Sequence, residues 1–288
     1  MKFLKVLSVF LLVLIFSGCS VTKYQKKGIV KPASFDTEVD FTTVKTVPLI
    51  PCTINGTPKN FLFDTGAQFS IIQRDSVMGA SVSISGASNR SIDAGSEVVE
   101  SFKIGEVEFK GTFATNTDMV GLKEQIPNFG GLIGTPIINK ANWLIDYPKK
   151  KLRISNQNLA NDTFKTIKIK RKKGSSYTNI SINGVEHEVI IDFGSSSEFS
   201  LPQGSKLAKQ LLAQYTFEDK ERDKYTIGGL QTITEKVGTL PTVKLGSLEF
   251  KDVSVKINVQ SQPRIGISFF KEYIIYIDNQ NKTFKVKS

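Results

Sequence analysis

One order of side-chain types occurs twice in this chain, and that repetition limits the fold more than any other feature. Ile54-Asn55-Gly56, the apolar run Phe61-Leu62-Phe63 and Asp64-Thr65-Gly66-Ala67 return 128 residues later as Ile182-Asn183-Gly184, Val189-Ile190-Ile191 and Asp192-Phe193-Gly194-Ser195. Two further anchors follow in the same order. Lys103-Ile104-Gly105 with Val107-Glu108-Phe109-Lys110 returns as Lys244-Leu245-Gly246 with Leu248-Glu249-Phe250-Lys251. Leu132-Ile133-Gly134, with Ile145-Asp146 beyond it, returns as Arg264-Ile265-Gly266 with Ile277-Asp278 at the same spacing. Chance similarity between β-rich segments accounts for one such match but not for three in order, so the chain is two copies of one unit.

Each copy delivers a carboxylate from an apolar run into a glycine turn. A run of this length reads as a strand buried on both faces, and Thr-Gly ends it. Burial opposes ionisation, and so does a neighbouring carboxylate, so a charge placed there needs a use or a partner. A lone Asp in such a turn is commonly just solvated; two in register point to chemistry shared between the copies.

Over roughly residues 45 to 288 the chain resembles the aspartic proteases of the retropepsin and pepsin type, on Asp64-Thr65-Gly66 with Leu132-Ile133-Gly134 and, less perfectly, Asp192-Phe193-Gly194 with Arg264-Ile265-Gly266. The resemblance implies a mainly β chain of two similar closed β-barrel lobes with few short helices. It makes Asp64 and Asp192 the catalytic pair, supported by Thr65, Gly66 and Gly194. It also implies hairpin flaps over the cleft, with Gly86 in one and Gly228 and Gly229 in the other. The expected activity is an aspartic endopeptidase acting on an extended peptide or protein substrate, with no metal or cofactor and with both lobes in a monomer. Two carboxylates a few ångströms apart share one proton, and water activated between them attacks the peptide bond.

The second copy departs at Phe193, where the family has Thr or Ser. The family's paired hydroxyls bond across the lobes, so Phe193 needs an apolar slot and leaves Thr65 to find its partner elsewhere. Ser195 is expected to hydrogen-bond the outer oxygen of Asp192, which would put the charge on Asp192 and the shared proton on Asp64. The alternative reading is an inactive pseudo-protease that binds peptides in the cleft without cutting them. Asp146 and Asp278 fall at matched outer strand positions and are assigned to structure.

The first residues read as a targeting segment. Met1-Lys2-Phe3-Leu4-Lys5 and the apolar run Val6 to Phe16 form a basic and a hydrophobic region too short to span a membrane. Phe16-Ser17-Gly18-Cys19 resembles a bacterial lipobox, which implies a signal peptide over 1–18, lipidation of Cys19 and a periplasm-facing anchor in the cell envelope. Residues 19–45 are polar and lysine-bearing and read as a flexible tether. The lobes are expected at 46–156 and 176–288, joined by a linker over 157–175. Cys19 and Cys52 are the only cysteines and His187 the only histidine, which excludes a disulfide framework and multi-histidine metal sites. The net charge of +11 is spread over strand edges and turns, and the dense cluster Lys168 to Lys173 lies between the copies, so no nucleic-acid surface is expected.

Overall fold

The strand that enters each Asp turn is paired with a short strand from far along the same copy, and that crossing organises both halves. The computed structural model describes residues 23–86, 91–172, 174–226 and 229–288. Phe61, Leu62 and Phe63 pair in parallel with Gly131, Leu132 and Ile133, and the same short strand pairs antiparallel with Ser70–Gln73, the strand that leaves the turn. In the second half Ile190, Ile191 and Asp192 pair in parallel with Arg264, Ile265 and Gly266, which pair antiparallel with Phe199–Pro202. Gly131 and Leu132, and likewise Arg264 and Ile265, have strand on both sides, so these short strands run through the middle of their sheets. Gly131 has a φ of +135°, and a Cβ there would lie 1.8 Å from the Ile71 carbonyl oxygen, so only glycine fits.

The chain is mainly β, with few short helices. In the first half a nine-stranded sheet contains the hairpin Val47–Ile54/Thr57–Phe63. Val107–Thr117 pairs with both Ser70–Gln73 and Ser91–Ile104, and Ser91–Ile104 also pairs with Val47–Ile54, so the pairings run in a circuit. In the second half an eight-stranded sheet repeats the arrangement with Ser175–Ile182, Val185–Asp192, Gly229–Leu245 and Leu248–Asn258. The turns repeat as well. Asn55 and Asn183 have φ of 47° and 52°, followed by Gly56 and Gly184 at 84° and 79°, and Lys150 and Lys282 have φ of 56° and 53°. Paired positive φ values in Asn-Gly set the right twist for a two-residue hairpin.

A third, six-stranded sheet joins the halves. Asn142–Asp146 lies against Ile274–Asp278, with Trp143 opposite Ile277 and Ile145 opposite Ile275. Lys151–Ser155 and Thr283–Lys287 flank them, and the edges are Asp36–Asp40 and Lys165–Ile167. Each edge strand is thus the segment that precedes its own half.

This corrects the reading of 19–45 as a flexible tether over its described part, and residues 157–175, read as a linker, contain the strands Lys165–Ile167 and Lys170–Lys172. Ile29–Lys31 pairs with Lys110, Phe109 and Glu108, and Asp36–Asp40 pairs along the whole of Lys151–Ser155. An edge strand with one wet face alternates polar and half-buried residues, as Asp36-Thr37-Glu38-Val39-Asp40 does, so its low apolar content resembles that of a linker. Cross-strand ion pairs, Arg153 to Asp36 and Lys151 to Asp40, hold it in register. Residues 1–18, expected to be a signal peptide, and Cys19, expected to be lipidated, lie outside the described residues. No helix among the described residues is long and apolar enough to cross a membrane.

Asp146 and Asp278 close matched turns, accepting from the Lys149 and Asn281 N–H groups at 3.0 and 2.9 Å. The helix Lys206–Gln214 is capped by Ser205 and buries Leu207, Ala208 and Leu211, as its spacing predicts, while Leu212 faces solvent.

Candidate active site

The two Asp turns meet loop to loop. Each aspartate accepts from its own turn: Asp64 Oδ1 from the Gly66 and Ala67 N–H groups at 2.8 and 3.0 Å, Asp192 Oδ1 from the Gly194 N–H at 3.0 Å. Each carboxylate also lies over the glycine of the opposite loop. A Cβ on Gly66 would sit 2.7 Å from Asp192 Oδ1, and one on Gly194 would sit 2.3 Å from Asp64 Cγ. Both glycines are needed here for close approach.

Thr65 locks the loops. Its Oγ1 donates to the Ile191 carbonyl and accepts from the Phe193 N–H, each at 2.9 Å. Both partners are main-chain groups, so this half of the cross-lobe grip does not depend on the side chain at 193. Phe193 is fully buried and packs edge-on against Phe270 and Phe284, with ring centroids 5.8 and 5.9 Å away. The partner that Thr65 was expected to seek elsewhere is the backbone beside Phe193. A second stitch lies nearby, where Ser268 Oγ is 2.7 Å from Thr46 Oγ1 and 2.9 Å from the Ser196 carbonyl oxygen.

The outer oxygen of Asp192 has a different partner from the one expected. Ser195 Oγ accepts from the Ser197 N–H at 3.4 Å, whereas Asp192 Oδ2 is held by Arg264 Nη1 at 2.5 Å. The duplication explains how the arginine arrives there. Leu132 pairs with Leu62 in the first half and Arg264 with Ile190 in the second, so Arg264 occupies the position of a cavity-lining leucine.

Burial, then the negative charge of Asp192 and a hydrogen bond with it, push the Asp64 carboxyl up to about 8, against the lowering pull of its backbone donors and of Arg264. The shift favours the protonated form of Asp64, whereas the Ser195 bond to Asp192 from which the sequence reading expected it is not made. The arrangement sets a carboxyl whose protonated form is favoured beside one paired with a guanidinium, a layout suited to simultaneous acid and base chemistry.

The pair faces a cavity of about 260 Å³ between the halves. Ser85 and Gly86, where the strand Val82–Ser85 turns back toward Ser91, line one side. Arg222 and Lys224, from the hairpin Phe217–Thr226/Gly229–Leu245, line another. Of the expected flap positions Gly86 lines the cavity, whereas Gly229 is not among the lining residues. Gly229 sits in the turn of the second hairpin with a φ of +90°, and Gly228 lies outside the described residues. Sequence reasoning missed Arg222, Lys224 and Arg264 as site residues. Arg264 was visible only as an imperfect match to Leu132, and the alternation that puts Arg222 and Lys224 on one face of a strand gives no hint which face meets the cleft.

The family model described as aspartyl protease matches residues 50–137, from the strand before the first Asp turn to the short helix after Gly134. The match supports a peptidase-type hydrolase at the coarse level. It ends ahead of the second Asp turn. No curated protein matches the chain.

Proposed function

We propose that the chain is an aspartic peptidase in which Asp64 and Asp192 work as one pair. The observation that carries this reading is the mutual placement of the two loops, each carboxylate seated over the other's glycine, with the protonated form of Asp64 favoured. Asp192 takes a proton from a water held between the carboxyls while the Asp64 carboxyl polarises the scissile carbonyl. The substrate is an extended peptide lying in the cleft beneath the two hairpins, within two retropepsin-like barrels of one monomeric chain. Lipidation at Cys19 would tether it to a membrane of the cell envelope, facing the periplasm.

Arg264 favours a second reading, a peptide binder that does not cut. A guanidinium on Asp192 Oδ2 weakens that carboxylate as a base toward water. Peptide hydrolysis by the wild type, Asp64→Asn and Asp192→Asn separates the two. A peptidase loses at least about a thousandfold in kcat/KM in each variant, an effect within the range of a catalytic group. Cleavage undiminished in either variant refutes the assignment, and a wild type that binds a pepstatin-like inhibitor yet cleaves nothing supports the binder.

A further inference from the structure

The walls of the cavity are chemically unlike. Val44, Val47, Leu62, Leu122 and Leu132 make the first-half side largely apolar, whereas Arg222, Lys224, Gln260 and Arg264 stand on the second-half side. Two of these cations are neutralised within the protein. Arg264 pairs with Asp192, and Arg222 Nε pairs at 2.5 Å with Glu235, which is buried and also accepts from Asn258 Nδ2. Lys224 is not neutralised, because no carboxylate lies within ion-pair distance of it among the described residues. Burial and then the neighbouring Arg264 and Arg222 charges pull its amine down to about 8, against the raising pull of the Glu235 and Asp192 carboxylates, so the ammonium sits where its charge is poorly solvated.

Unmet hydrogen-bond donors line the same wall. Gln260 is only 6 % exposed and its Nε2 has no partner, and Arg264 Nε is also buried and unpaired. Buried polar groups are nearly always satisfied, and leaving one orphaned is costly. Ser200 Oγ and the acceptor Asn258 Oδ1 on this wall are also unpartnered, but a half-buried ammonium and two orphan N–H groups outnumber them, so the wall favours a ligand that brings acceptor oxygens.

We infer that the second-half wall of the cleft is a subsite for a carboxylate of the bound peptide, seated by Lys224 on the wall that also carries Arg222, Gln260 and Arg264, so that acidic peptides are the preferred ligands. The inference rests on the peptide-cleft reading proposed above. The carboxylate comes either from an Asp or Glu side chain or from a peptide C-terminus; both present the same two oxygens.

The test uses the full chain and two peptide series, one exchanging Glu for Gln at successive positions, the other exchanging a free C-terminus for an amide. For the wild type, one series is expected to show at least about a tenfold preference in kcat/KM for the acid, the gain of one charge-assisted hydrogen bond in a desolvated site. The series that responds identifies the source. Lys224→Arg should retain the preference, Lys224→Gln should bring it close to unity, and Lys224→Glu should reverse it. Equal cleavage of acid and amide by the wild type, or a preference that survives Lys224→Glu, overturns the inference. Should no peptide be cleaved, fluorescence anisotropy on the same series decides. Tighter binding of the acid that is lost in Lys224→Gln keeps the subsite while the peptidase reading falls; equal or absent binding removes the subsite.

Discussion

Arg264→Leu gives the second half the residue type that the first half carries at Leu132, and its cost follows from the burial of the pair it breaks. The side chains of Arg264 and Asp192 are 11 % and 7 % exposed, so this is a buried ion pair. Removing one partner of such a pair costs about 3–5 kcal/mol because the other charge is left uncompensated, whereas a surface pair is worth about 0–1 kcal/mol. The arginine also carries a buried Nε without a partner, and its removal relieves a penalty of about 1–3 kcal/mol. The net destabilisation is therefore roughly 2 kcal/mol at pH 7.5. Urea unfolding measures it as a lowered midpoint at constant slope. Protonation relieves an uncompensated carboxylate, so the deficit of the variant shrinks as the pH is lowered to 4. Adding Asp192→Asn removes the stranded charge and should return stability to within about 1 kcal/mol of wild type, since replacing a buried pair by neutral groups is often nearly free. A single variant that loses less than about 0.5 kcal/mol, or a double variant no more stable than the single, refutes this account.

Two other perturbations test the loops. Phe193→Thr restores the family's hydroxyl but empties a slot between Phe270 and Phe284, so a loss of about 3–5 kcal/mol with no rise in peptidase activity is expected; a rise in activity at little cost would mean that the ring only obstructs the site. Asp64 has its folded-state pKa raised from 3.8 to about 8, so it holds a proton that the unfolded chain has released between those values. The stability this contributes is complete below about pH 4 and is lost as the pH rises through 8. Wild type should therefore lose stability over that window more steeply than Asp64→Asn, by on the order of 2 kcal/mol once water in the cavity is allowed for, and parallel curves of Tm against pH would contradict it.

The fold was legible wherever a physical demand fell on one residue type. Asn55-Gly56 and Asn183-Gly184 announced their turns because few other residues adopt positive φ twice in succession. Phe61-Leu62-Phe63 and Val189-Ile190-Ile191 announced strands with strand on both sides. The polar edges of the central sheet were hidden, because Asp36–Asp40 and Lys165–Ile167 need only main-chain partners on one side. The Asp turns could be found as a repeated motif, and the slot for Phe193 could be inferred from its size. The basic wall could not be found in this way. Arg222, Lys224 and Arg264 come from strands distant in sequence, and only the crossing of those strands brings them over one cavity.

The seam through Asn142–Asp146 and Ile274–Asp278 has a consequence for the chemistry on either side of it. If two separate identical chains met along this line, every substitution would appear twice: an arginine on both aspartates or on neither, a phenylalanine in both turns or in none. Covalent fusion removes that constraint. At matched positions one half carries a leucine and the other a guanidinium that holds the nearer carboxylate, so on the peptidase reading a single polypeptide can give its two carboxyls different tasks.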